Sequence, residues 1–260
     1  MTFGKIIELG GQPLTGGGGP LICTPLVASD EPSLLRELDA VCAKRPDLVE
    51  WRVDFFSGIA DTARVLALAR AIRERAGKRP IIFTRRSTRE GGQPTGITEE
   101  QVLSLCEAVC ATGCVDFLDY EMSSEARHFQ AARQAAQRAG VQLIASFHDF
   151  DGTPPGEEIV ARLVAMEQAG ADIAKVAVMP RVIEDVLTLL GATVAARRRI
   201  ELPIISMSMG AYGSLSRLFG WAFGSSVSFA VGDQASAPGQ VPIEDLRLVV
   251  DIVRRALAAG

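Results

Sequence analysis

The sequence predicts an α/β fold, a (β/α)8 barrel of the TIM type with an N-terminal β-hairpin closing one end. Three observations predict it. Eight short, apolar, β-like runs occur along the 260 residues. They recur at roughly 30 residues, the size of one strand–helix unit. Amphipathic segments of helical period fill the intervals, and this alternation in one chain wraps a parallel sheet into a barrel. A doubly wound open sheet is the main alternative. Its dinucleotide-binding form needs GxGxxG after the first strand, whereas that strand here runs into ASDEPS, which has no glycine.

Residues 1–20 come first and include GGQPLTGGGG at 10–19. These glycines lead into a strand rather than a helix, so they lack the setting of a phosphate cradle. They read as a small hairpin or cap on a single catalytic domain spanning 1–260. The strands follow as LICTPLV (21–27), LVEWRVDFF (48–56), PIIFTRR (80–86) and VDFLDYEM (115–122). The remaining four are VQLIASFHDF (141–150), DIAKVAVM (172–179), PIISMSM (203–209) and SVSFAV (226–231). Helical patterns lie at 33–45, 63–77, 126–140, 157–170, 184–198 and 244–257. Thr98 with Gln101 forms a capping box before VLSLCEAV. Gly140 and Gly170 stop their helices.

Hydrophobic residues make up 48% of the chain, enough for a sizeable core. The net charge of −4 and the pI near 5.4 argue against a general nucleic-acid or anionic-membrane binder. No apolar run is long enough to span a bilayer. The start, MTFGKIIELGGQ, has no basic segment leading into a long apolar one, so no export signal and a cytoplasmic location are expected. Five cysteines without an export signal do not read as a disulfide framework. Cys106, Cys110 and Cys114 recur every fourth residue, which predicts buried thiols stacked on one helix face.

Barrels of this type carry their sites at the C-terminal ends of the strands. In the second strand Glu50, Arg52 and Asp54 alternate with Trp51 and Val53, which aims the three polar groups into the barrel. The third strand ends in Arg85 and Arg86, with Glu90 following in STREGGQ. Ser146 and His148 share a face at the end of the fifth. The seventh leads into SMGAYGSLSR, which puts Arg217 at the head of a helix. The eighth leads into DQASAPGQ, with Ser236 and Gln240.

Lys175 is the sharpest signal. The chain has four lysines, and this one lies inside the apolar run ADIAKVAVMP (171–180). Burying an isolated ammonium costs far more than one strand returns. Desolvation and nearby arginines disfavour its protonated form. A neutral lysine attacks carbonyl carbons to form a Schiff base. The resulting iminium acidifies the carbon beside it, and His148 on the neighbouring strand suits proton transfer near neutral pH. Glu90 would orient that histidine. The arginines match a carboxylate or phosphate, hence an anionic small-molecule substrate.

Each residue also has an ordinary reading. Lys175 could snorkel to solvent, Glu50 and Arg52 could be a plain ion pair, Arg217 could pair on the surface, and His148 could be structural. His128 in ARHFQAA reads as structural or solvated. The gathering of charge at strand ends, rather than any one residue, argues for a ligand.

The chain resembles the type I 3-dehydroquinate dehydratases of the shikimate pathway, a Schiff-base family. The resemblance rests on EWRVD (50–54), FTRRSTREGG (83–92), SFHDF (146–150), DIAKVAVMP (172–180), SMGAYGSLSR (208–217) and ASAPGQ (235–240), and covers nearly the whole length. It implies the barrel, the closing hairpin, and dehydration of 3-dehydroquinate to 3-dehydroshikimate. It implies Lys175 as the Schiff-base lysine, His148 as general acid/base and Glu90 as its partner carboxylate. Arg217 would grip the substrate carboxylate, and Glu50, Arg52 and Arg86 would hold its hydroxyls and ring. Ser236 and Gln240 would lie on a loop that folds over the ligand. The iminium stabilises the developing carbanion and no net oxidation occurs, so neither metal nor cofactor is called for. A homodimer is what the family often shows. A class I aldolase, also lysine-dependent, and a non-catalytic carboxylate-binding barrel are the competing readings.

Overall fold

The structure, a computed structural model, describes residues 7–9, 12–14, 19–232 and 236–258. The eight predicted strands are present as β3 (Leu21–Leu26), β4 (Leu48–Arg52), β5 (Ile81–Thr84), β6 (Phe117–Glu121), β7 (Gln142–Asp149), β8 (Ile173–Val178), β9 (Ile204–Ser208) and β10 (Val227–Phe229). They pair in parallel in the order β10-β3-β4-β5-β6-β7-β8-β9. One parallel bridge, Ile204 with Ser225, joins the two ends, so the sheet is a nearly closed barrel. The shortness of β10 leaves this seam the weakest pairing in the ring. Two further strands, β1 (Ile7–Leu9) and β2 (Gln12–Leu14), pair antiparallel. Ile7 and Leu14 are buried against the residues that open the barrel strands, including Leu21, Leu48 and Phe117. That places the hairpin under the N-terminal end. Most of the glycine-rich stretch at 10–19 lies outside the described residues.

Eight helices wrap the sheet: α1 (Glu31–Ala43), α2 (Thr62–Ala76), α3 (Glu99–Cys110), α4 (Ala126–Ala139), α5 (Gly156–Gln168), α6 (Ile183–Ala196), α7 (Gly210–Phe223) and α8 (Ile243–Ala258). Their starts follow local chemistry. Asp30 and Asp61 accept from the backbone of Ser33 and Arg64, and the capping box of Thr98 and Gln101 opens α3. The outward face of the sheet is apolar. Val49, Trp51, Phe83, Leu118 and Val176 pack under the helices. Trp51 meets Phe83 edge-on at 5.5 Å between ring centres.

Three expectations need correction. Strand β4 stops at Arg52, and 53–55 form a single 3-10 turn. Arg217 lies in the middle of α7 rather than at its head. Cys114 falls beyond the end of α3, although it is buried with Cys106 and Cys110. Cys23 is buried inside the barrel with Leu21, Leu48 and Ile82, while Cys42 is half-buried on α1. No helix among the described residues is long and apolar enough to cross a membrane.

Candidate active site

The alternation of each strand sorts its side chains by depth as well as by face. In β4, Leu48 faces inward at the bottom and Glu50 and Arg52 follow at the next two inward positions. Arg52 is held by Asp54, with Nε and Nη2 donating to the two carboxylate oxygens at 2.8 and 2.7 Å. Asp54 therefore clamps Arg52 from the 3-10 turn and does not extend the strand's polar row. Glu50 accepts from the Thr84 hydroxyl at 2.9 Å.

The turn after β5 carries Arg86 and Glu90. Gly91 has φ 82°, and a Cβ there would sit 2.3 Å from the Phe150 ring, so only glycine allows this turn to close under that side chain. Glu90 and His148 are brought together from this turn and from β7. Nδ1 of His148 lies 2.8 Å from Oε2 of Glu90, which also accepts from the His148 backbone N–H at 3.1 Å. Ser123 donates to the other oxygen. These acceptor roles assign the Nδ1 proton to the Glu90 contact and leave Nε2 as the basic nitrogen.

Lys175 occupies the middle of β8 and is buried. Its Nζ lies 2.8 Å from Oδ2 of Asp119 and 3.4 Å from Oε1 of Glu50. The Phe229 ring centre is 4.6 Å away. The expected surroundings were arginines; two carboxylates stand closer. Asp119 and Glu121, both on β6, were missed by the sequence reading. Their D-x-E spacing in FLDYE was the available signal, since it places both on the inward face above Phe117.

Arg86 lies among these carboxylates. Nη2 meets Asp119 at 2.7 Å; Nη1 meets Glu121 at 3.2 Å, the Ser146 hydroxyl at 2.9 Å and Glu90 at 3.6 Å. Arg217 contrasts with it. Among the described residues it has no carboxylate partner. Its terminal nitrogens make only long contacts, to the carbonyls of Phe229 at 3.4 Å and Pro238 at 3.3 Å, and Nη1 is 3.4 Å from the Met207 sulfur. Nε is buried and has no hydrogen-bond partner among the described residues.

Of the segment after β10, Ser236, Ala237 and Gln240 line the cavity. Gln240 accepts from the Ser236 backbone at 3.0 Å and donates to its hydroxyl at 3.2 Å. A Cβ at Gly239, with φ 78°, would lie 2.0 Å from the Gly210 carbonyl oxygen. All nine predicted site residues, namely Glu50, Arg52, Arg86, Glu90, His148, Lys175, Arg217, Ser236 and Gln240, line one cavity. It contains about 460 Å³ of atom-free space, including its open mouth. Met207, Met209, Phe150 and Phe229 add apolar walls that the sequence reading did not include.

Burial and opposed charges set the protonation states. Burial pushes the Glu90 carboxyl up to about 7, with the Glu121 charge adding to it and Arg86 opposing. Burial holds His148 well below its usual value, with Arg86 and Lys175 adding and Asp119 opposing. A neutral imidazole is the form able to accept a proton. Burial would raise Asp119, but Arg86 and Lys175 outweigh it and keep the carboxylate well below its usual range. Burial alone lowers Arg217 to about 10.

The buried Lys175, the His148–Glu90 pair and Arg217 thus converge at the end of the barrel where such folds place their chemistry, and the class they define is a (β/α)8 barrel with a polar cavity around a buried lysine. Comparison with known proteins narrows this class. A family model for type I 3-dehydroquinase matches residues 22–256, and the chain belongs to that family. It is 64% identical to a 3-dehydroquinate dehydratase of Aromatoleum aromaticum, over 99% of each chain. The crystal structure of 3-dehydroquinate dehydratase from Geobacillus kaustophilus superposes with a TM-score of 0.94 at 49% identity, covering 97% of this chain and 98% of that one. A type I 3-dehydroquinate dehydratase from Clostridium difficile, with covalently modified comenic acid, gives 0.92 at 34% identity and the same coverage.

Proposed function

We propose that this chain is a 3-dehydroquinate dehydratase, a hydro-lyase that converts 3-dehydroquinate to 3-dehydroshikimate through a Schiff base on Lys175. One observation carries the assignment of roles. The buried Nζ, the His148–Glu90 dyad and Arg217, which has no carboxylate partner among the described residues, open onto a single cavity.

The substrate carboxylate pairs with Arg217, supplying the anion that the guanidinium lacks. Glu50 and Arg52 hold the ring hydroxyls, with Arg52 fixed in aim by Asp54. Arg86 belongs to this group in the resemblance, and its protein contacts add the task of holding three carboxylates in place. Lys175 attacks the ketone, and loss of water gives the iminium. His148 removes a proton from the carbon beside it, and the bond electrons move to nitrogen as an enamine. The β-hydroxyl leaves as water, taking its proton from His148. Hydrolysis of the conjugated iminium frees Lys175 and the enone. Ser236 and Gln240 close the loop over the ligand and limit bulk water.

The reading includes one catalytic domain over 1–260, with 1–20 as its cap. A cytoplasmic homodimer belongs to the same reading, carried by the resemblance, and sedimentation of the purified protein tests the dimer. The chemistry is tested by adding 3-dehydroquinate, reducing with borohydride, and mapping the modified peptide. The expected result is a dehydrated adduct on Lys175. A folded protein that gives no adduct overturns the proposal.

A further inference from the structure

We propose that Asp119 is the counter-ion of the Lys175 nitrogen, balancing its charge at each stage where it is positive, above all as the iminium. This rests on the dehydratase reading above and deepens it. Asp119 is the carboxylate nearest Nζ, at 2.8 Å, against 3.4 Å for Glu50. Its other oxygen, Oδ1, accepts from Arg86 Nη2 at 2.7 Å and from the Ser146 hydroxyl at 2.6 Å. Both oxygens are therefore fixed, on a side chain that is fully buried. A carboxylate held this way cannot turn aside when substrate enters.

The charge balance of the reaction gives that rigidity a use. An ammonium and a ketone yield a protonated iminium and water, so nitrogen carries one positive charge before and after. The same anion suits both forms without rearrangement, which is the economy of a pre-organised site. Nitrogen is neutral as the attacking amine, in the carbinolamine and again as the enamine, when the proton taken from carbon resides on His148. Departure of the hydroxyl as water consumes that proton and restores the charge on nitrogen.

The other groups around Nζ are less suited to the task. From β4, Glu50 is farther away and is shared with Thr84. From β3, the Cys23 thiol is held protonated by burial and by the Glu50 charge. From β7 comes His148, and from the end of β5 comes Arg86, both of which disfavour a cation nearby when charged. Glu121 reaches Arg86 and the Ser87 backbone. Strand β9 contributes the apolar Ile205 and Met207, β10 contributes the Phe229 ring, and α7 brings Arg217 to the same cavity.

The test is the pH profile of kcat/KM together with cyanoborohydride trapping, which reduces the charged iminium. Asp119→Asn should lower kcat about 10²-fold at neutral pH and move the basic limb to lower pH by about one to two units. Asp119→Glu keeps the charge and should leave that limb in place, even if its rate falls. Ser146→Ala removes a support of the carboxylate but not its charge, and should also leave the limb in place. An unmoved limb in Asp119→Asn overturns the inference. Should that variant fail to fold, wild-type protein still decides the matter. Its trapping yield should persist above neutral pH, because the carboxylate beside the iminium keeps it charged; a yield already falling at pH 7.5 overturns the counter-ion role. Absence of any wild-type adduct would instead overturn the dehydratase reading.

Discussion

The lower and upper halves of the barrel interior are built from the same strands and have opposite chemistry. In β6 the inward positions read Phe117, then Asp119 and Glu121; in β7 they read Ile144, then Ser146 and His148. In β8 Ile173 precedes Lys175, and in β4 Leu48 precedes Glu50 and Arg52. The first inward residue of each strand joins the apolar plug over the hairpin. The next one or two are polar or charged, and of them Glu50, Arg52, His148 and Lys175 line the cavity while Asp119, Glu121 and Ser146 stand behind it, bonded to Arg86. Depth along one strand, two residues at a time, thus separates the apolar plug from the residues at and behind the cavity. The lower half gains from burying apolar area. The upper half places charges in a medium where each needs a partner, and among the described residues Arg217 has carbonyls but no carboxylate.

Substitutions in the two halves should therefore fail differently. The largest effect is expected for Lys175→Ala, a loss of roughly 10⁶-fold in turnover, about 8 kcal/mol of barrier. The protein should remain folded, because Asp119 keeps Arg86; circular dichroism and steady-state assay read the two together. His148→Ala comes next, with turnover down 10²–10⁴-fold, roughly 3–5 kcal/mol, and with adduct accumulating under borohydride. An unchanged rate for either variant would erase the functional half of the contrast.

Phe117→Ala, in the plug, is the mirror experiment. It should cost about 3–5 kcal/mol of stability in urea unfolding while leaving kcat per folded molecule close to normal. A collapse of kcat without loss of stability would show that the halves are not separable. Gly239→Ala sharpens the boundary at the mouth. Its Cβ meets the Gly210 carbonyl, so loop closure should weaken and KM should rise about tenfold, with kcat less affected.

The smallest effects lie in pH. His148 is depressed below its ordinary value near 6.5, so it remains a competent base in mild acid, and the acidic limb of kcat/KM should fall below pH 6.5. Glu90 is raised to about 7. Its folded value exceeds its unfolded one, so the stability it contributes is complete below about pH 4.3 and is lost as pH rises through about 7. The melting temperature of wild type relative to Glu90→Gln should accordingly decline between those limits.

Much of this was legible in the sequence because strand period and turn residues are local signals. The eight strands, the capping box of α3, the inward aim of Glu50 and Arg52, and the Ser146–His148 face all follow from spacing. The pairings were less legible. Arg86 meets Asp119, Glu121 and Ser146 across separations of 33, 35 and 60 residues, and no local pattern says which anions a cation will find. For the same reason Asp119 and Glu121 read as ordinary strand residues. Asp54 continued the alternation on paper, but the chain turns at Arg52, and the carboxylate becomes a clamp on its neighbour.

Cys23 sits wholly inside the barrel, Cys106 and Cys110 are on the buried face of α3 and Cys114 is buried just beyond its end, while Cys42 alone is half-exposed. This gives the protein a built-in set of timers. In alkylation with iodoacetamide, Cys42 should react first, slowed somewhat by the burial that raises its thiol. The thiols at α3 report how often that helix lifts from the sheet. Cys23 reacts only when the ring of strands itself parts. The order of labelling, read by mass spectrometry on unmutated protein, would rank the opening motions of the barrel from its outer layer to its axis.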